Sequence, residues 1–181
     1  MNVFVNFILF QAGWFACVLG AANGQPLAGT GIALTIVLLH VLRSARPRVE
    51  VALVLLVAAI GTVWDSGVML LGVLNYTSGL LFPYVVPPWM IALWMVFATT
   101  LNISLRWLKT RPLLAALLGA TGGPAAYYAG HALGAVGMPE VVTAVSVQGL
   151  GWGILVPLLV WLSIKFDGVT GARRETQPCL T

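Results

Sequence analysis

Six stretches of this chain run for 16 to 25 residues with hardly a charged side chain among them: Val3 to Ala22, Leu27 to Leu42, Val51 to Leu74, Trp89 to Leu105, Pro112 to Val136 and Val141 to Ile164. Each is close to the ~20 apolar residues that carry a helix across a bilayer. A transmembrane barrel would instead show strands of about ten residues that alternate apolar and polar, and these stretches do not alternate. Composition points the same way: of 181 residues, 60% are hydrophobic and 8% charged, against about 25% charged in a soluble domain. A chain so apolar is also not a disordered one. The sequence therefore predicts an all-α, polytopic transmembrane bundle of six helices over residues 1–166, followed by a polar tail at 167–181.

The nine Lys and Arg residues sort the loops. They fall at 43–48, 106–111 and 165–174, after the second, fourth and sixth stretches, and the other three connections have none. The positive-inside bias then puts all three groups, both termini and the tail in the cytoplasm. The net charge of +4 follows from that topology and from anionic lipid, so a nucleic-acid partner is not called for. Cleavage of the first stretch as a signal peptide fits poorly, because no cation precedes it and Gln11 and Trp14 interrupt it. The two cysteines, Cys17 within a span and Cys179 in the tail, exclude a disulfide framework on this topology.

Two rows of small residues recur at four-residue spacing in the fifth stretch: Gly122, Ala126, Gly130, Gly134, and Ala115, Gly119, Gly123. Close backbone approach along such rows drives association in lipid, which predicts that this helix packs in the middle of the bundle, with a kink at Pro124. Asn6, Gln11, Thr99, Thr100, Asn102 and Ser104 are expected to hydrogen-bond between helices. Trp89, Tyr84, Trp107 and Trp161 read as interfacial anchors, and His40 as an interfacial residue on the cytoplasmic side. The Pro-rich connection 75–88 is too apolar to stand in water, so it is expected to lie along the outer headgroups or to dip back in.

Asp65 is the carboxylate that the spans place in hydrocarbon. Its helical neighbours Ala58, Gly61, Thr62 and Met69 form a small-residue seam, and the opposite face is Leu56, Ile60, Val63 and Leu70. It is therefore expected to face the bundle. An intramembrane ionisable group is a functional candidate by default, and an Asp that locks helix packing is the structural alternative. His131 falls at a similar depth, with Tyr127 one turn before it. Asp65, Tyr127 and His131, with Gln148 and Trp152, are expected to converge on an outward-opening pocket suited to proton relay or acid–base chemistry. A lone interfacial histidine is the other reading of His131. No phosphate loop, zinc motif or nucleophile elbow is present, and no metal or cofactor is expected.

Certain segments are more specific. They are Asn6-Phe7 with Phe10-Gln11-Ala12-Gly13-Trp14-Phe15, then Gly61 to Asp65, then Trp89 with Leu93-Trp94, Phe97 to Leu101, Ser104-Leu105 and Trp107-Leu108. Last come Gly119, Gly122-Gly123-Pro124, Tyr127, Ala129-Gly130 and Leu133-Gly134-Ala135. In this order, up to about Phe166, the chain resembles a family of small multi-pass bacterial inner-membrane proteins known as domain of unknown function 2878. The resemblance implies a bacterial cytoplasmic-membrane location and points loosely toward lipid metabolism, with no activity to carry over. Three readings remain. One is an accessory or lipid-associated membrane factor, whose partners are membrane lipids, another membrane protein or a second copy of itself. The others are a membrane-embedded enzyme acting on lipids and a small proton-coupled carrier, both using Asp65 with His131.

Overall fold

The computed structural model describes residues 2–170 and is built of six helices: α1 (Val3–Ala22), α2 (Pro26–Leu42), α3 (Pro47–Leu70), α4 (Pro88–Leu101), α5 (Pro112–Ala132) and α6 (Val141–Lys165). Helices α2 to α5 all begin on proline, whose fixed φ suits a first turn and whose missing N–H costs nothing there. Asn2 caps α1 by accepting from the Phe4 N–H, and Glu140 caps α6 by accepting from the N–H groups of Val142 and Thr143. Gly72 and Gly134, with φ of 71° and 88°, turn the chain out of α3 and α5, a conformation that suits glycine. Both helices therefore stop four residues before the ends expected from hydropathy.

Three helices, α1, α3 and α6, are long and apolar enough to cross a membrane. Helices α2 and α4 are apolar but shorter, at 17 and 14 residues. The fourth apolar stretch does not continue as helix to Leu105. It turns at Asn102 and enters a 3-10 helix at Arg106–Thr110. Asn6 makes that early end tolerable inside the bundle. Its amide donates to the Thr99 carbonyl at 3.1 Å, and its oxygen accepts from the Ser104 hydroxyl at 2.7 Å and from the Ser104 N–H at 3.3 Å.

The central helix is α4, which packs against α1, α2 and α3 and buries Trp89, Trp94, Val96, Ala98 and Leu101 among others. This corrects the expectation for α5, which packs chiefly on α6. The reason lies in its glycines. A side chain at Gly119 would run into the backbone of Trp152, and one at Gly123 into the Trp152 side chain, whereas a side chain at Gly122 would meet nothing within 4 Å. The row Ala115, Gly119, Gly123 is buried throughout and forms a packing seam, whereas the other row is buried at Gly130 and exposed at Gly122 and Gly134. Leu113, Leu117 and Tyr128 on other faces are exposed, and α5 continues as helix past Pro124. The molecule is thus a four-helix group around α4 with an α5–α6 pair set against it.

The connection after α3 closes one end. Strand β1 (Asn75–Tyr76) pairs antiparallel with β2 (Val136–Gly137), and the Ser78 hydroxyl donates to the Ala21 carbonyl at 2.7 Å. Trp89 is fully buried beneath it rather than interfacial, with its N–H donated to the Ser78 carbonyl and the Tyr76 ring edge-on at 5.6 Å. Tyr84, Trp107 and Trp161 are exposed. Arg111 lies over the Trp107 ring and Lys165 over the Trp161 ring, which suits a cation–aromatic pair at an interface.

Candidate functional site

Asp65 is completely buried on α3. Gly61, one turn earlier, lies against the face of Trp94, and any side chain there would strike the indole. That approach lets the Trp94 N–H donate to Asp65 Oδ2 at 2.7 Å, while the Tyr127 hydroxyl of α5 donates to Oδ1 at 2.5 Å. One carboxyl thus joins α3, α4 and α5. Trp64 beside it donates to Gln148 of α6 at 2.9 Å. Trp152 stacks on Trp94 with ring centroids 4.6 Å apart, and the Tyr127 ring lies edge-on to it at 6.1 Å. A seam of hydrogen bonds and aromatic contacts therefore fastens the α5–α6 pair to the central group.

Beside this seam lies a cavity of about 460 Å³ between α1, α4, α5 and α6. Its walls include Trp94, Phe97, Tyr127 and Trp152, and its α5 side takes small residues from both rows, Gly119 and Gly123 with Gly122, Ala126 and Gly130. Gly119 and Gly123 close on Trp152, whereas Gly122 leaves open space. The volume lies within the ~300–1,000 Å³ typical of small-molecule sites.

Of the five residues expected to converge, Asp65, Tyr127, Gln148 and Trp152 come together. His131 does not join them by a hydrogen bond among the described residues. It is half-buried at the end of α5, its Nδ1 lies 3.0 Å from the Val136 carbonyl, and the Tyr128 ring is its aromatic neighbour. The chain turns back on itself at Gly134, and β2 captures the imidazole before it can reach α3. Cys17 is buried, with its thiol 3.6 Å from the Gly29 carbonyl. Cys179 and most of the tail lie outside the described residues.

A second polar cluster, which the sequence reading missed, sits at the opposite end of α3. His40 is buried rather than interfacial, and its Nε2 lies 2.7 Å from Oε1 of the fully buried Glu50. Glu50 Oε2 accepts from Asn102 Nδ2 and from the Gly168 N–H, both at 3.0 Å. Lys109 donates to Asn102 Oδ1, to the Ser163 carbonyl and, at 3.0 Å, to Asp167, which also accepts from Arg106. The Arg46 guanidinium reaches the Asp167 carbonyl. Residues 167–170, the start of the expected polar tail, form a strap held against the bundle. Burial works to raise the Asp167 pKa, but the Thr170 N–H and the Lys109 ammonium outweigh it and hold the carboxyl below its usual range. Burial lowers Lys109, and Asp167 opposes that shift. One signal was available: Glu50 is the only acid in the basic 43–50 segment.

The family model described as "Protein of unknown function (DUF2878)" matches residues 3–158, and the chain belongs to that family. No curated protein and no solved structure matches it.

Proposed function

We propose that this member of the DUF2878 family is a multi-pass protein of the bacterial inner membrane, with six spans and both termini cytoplasmic, that holds a membrane lipid as an accessory factor in lipid metabolism. The observation that carries the reading is the cavity of about 460 Å³. It is walled by aromatic rings and backed by the Gly122–Ala126–Gly130 row, and an apolar chain fills such a space without leaving a dry void or stranding water. The topology is supported by Asp167, around which Arg46, Arg106 and Lys109 gather. Cations from two of the three predicted cytoplasmic groups, 43–48 and 106–111, thus meet at one end of the bundle. Single cysteines at the exposed positions Gln25, Leu81 and Pro139 are expected to react with an impermeant maleimide added to intact spheroplasts. A cysteine at Arg43 is expected to react only after lysis, and the opposite pattern overturns the topology.

The lipid reading has its own test. A leucine at Gly122 has room to project, since no atom lies within 4 Å of a side-chain carbon built there, and it would occupy the cavity. Gly122→Leu is expected to fold normally and to lose most of the lipid that native mass spectrometry finds retained by the wild type. Undiminished retention would place the lipid elsewhere and remove the argument. Reading the protein instead as an enzyme or proton-coupled carrier through Asp65 and His131 draws less support, because both Asp65 oxygens are engaged and the imidazole is bonded to β2.

A further inference from the structure

Most polar side chains within the helices have found partners. Asn6 secures the end of α4, and Asn102 bridges Glu50 and Lys109. Thr99 and Thr100 donate to carbonyls one turn back. Around the cavity, Trp89, Trp94 and Tyr127 likewise give their donors to Ser78 and Asp65. Gln11 is different. It lines the cavity and is half-buried, yet its side chain makes no hydrogen bond among the described residues. Three residues on, and so on the same face of α1, Trp14 also lines the cavity, and its N–H makes no hydrogen bond among the described residues. The N–H of Trp152, in the α6 wall, is a third donor without a partner among the described residues.

Gln11 lies about 12 Å along α1 from Val3, at 1.5 Å per residue, which is near the middle of a helix of 20 residues. An amide stranded at that depth in hydrocarbon is unfavourable unless something bonds to it. Water is a poor candidate partner in a cavity with so apolar a wall. A phospholipid is also unsuitable, because its charged headgroup stays at the interface while only its tail reaches this depth.

We infer that the cavity takes a neutral lipid carrying an uncharged oxygen, a hydroxyl or a carbonyl, and that Gln11 and Trp14 hold that oxygen at mid-membrane depth. The inference rests on the lipid-binding reading and names the class of ligand. An amide both donates and accepts, so it serves an alcohol or a ketone, while the Trp14 N–H supplies a donor to either.

The test uses the full chain in nanodiscs, loaded in turn with hexadecan-1-ol, heptadecan-2-one and hexadecane, with retained ligand read by native mass spectrometry. The wild type is expected to retain the alcohol or the ketone about tenfold better than the alkane, as one or two neutral hydrogen bonds allow. Preference for both marks an acceptor oxygen as the recognised group, and preference for the alcohol alone marks a hydroxyl. Gln11→Leu, which breaks no hydrogen bond of the protein among the described residues, is expected to reduce the preference for the oxygenated probe severalfold, the Trp14 N–H keeping the remainder. Equal retention of all three by the wild type, or an undiminished preference in Gln11→Leu, overturns the inference and leaves the lipid-binding reading standing. Retention of phospholipid alone does the same. If the wild type retains nothing, and Gly122→Leu is indistinguishable from it, the lipid-binding reading falls too.

Discussion

Glu50→Ala is expected to destabilise the bundle by about 3–5 kcal/mol, the cost of leaving several buried hydrogen-bonding groups without their shared partner. The carboxylate is fully buried and collects three groups, the His40 imidazole, the Asn102 amide and the Gly168 N–H. Removing it strands all three in a place that water does not reach, and each unpaired buried donor costs about 1–3 kcal/mol. Asn102 also receives Lys109 on its other end, so the loss spreads to the site that holds Asp167. Glu50→Gln keeps the volume and one acceptor oxygen, and its cost is expected to be roughly half as large. Unfolding of the full chain in detergent, followed by tryptophan fluorescence, should rank wild type above Glu50→Gln above Glu50→Ala. Limited proteolysis should cut after Lys165 in Glu50→Ala, as the strap comes away. A Glu50→Ala protein within about 1 kcal/mol of wild type would mean that the cluster contributes little to cohesion.

The position of this cluster explains the size of the effect. Helices α5 and α6 pack on each other far more than on the rest, and three separate fastenings tie the pair to the central group. At one end β1 pairs with β2, in the middle Asp65 meets Tyr127, and at the other end Glu50 and Lys109 hold the strap that follows α6. The cavity opens between the two groups, so these fastenings, more than tight helix packing, set its width.

The helices were legible in the sequence because continuous apolarity reports burial in lipid or protein directly. Their ends were less so. Hydropathy does not register that Gly72 and Gly134 turn the chain, or that Asn6 supplies the bonds which allow α4 to end at Leu101. The inward aim of Asp65 followed from helical periodicity alone. Its partner did not, since His131 and Tyr127 sit one turn apart and only the tertiary path of β2 decides which one reaches α3. The same limit applied to the glycines. Two rows at equal spacing look alike in sequence, yet Gly119 and Gly123 of one meet Trp152 while Gly122 and Gly134 of the other face open space. Glu50 was hidden by its company: an acid among arginines reads as a surface residue until the strap is seen to cover it.

Asp65 separates a structural role from a chemical one by two substitutions. Asp65→Ala is expected to cost about 2–4 kcal/mol, since it leaves the Trp94 N–H and the Tyr127 hydroxyl without an acceptor at about 1–3 kcal/mol each. Asp65→Asn should behave differently. Its oxygen can still accept from Trp94, and its amide can donate to Tyr127, because a phenol hydroxyl accepts as readily as it donates. Both contacts survive with the sense of one reversed, and the Tyr127 proton turns to Met90 Sδ, 4.0 Å away. Unfolding midpoints should therefore place Asp65→Asn within about 1 kcal/mol of wild type and Asp65→Ala well below it. Lipid retention by Asp65→Asn is expected to stay unchanged, because the cavity wall keeps its shape and only the ability to ionise is gone. If the Asn variant folds as wild type but fails to complement a deletion strain, the carboxyl acts through its proton, and the carrier or enzyme reading displaces the accessory one.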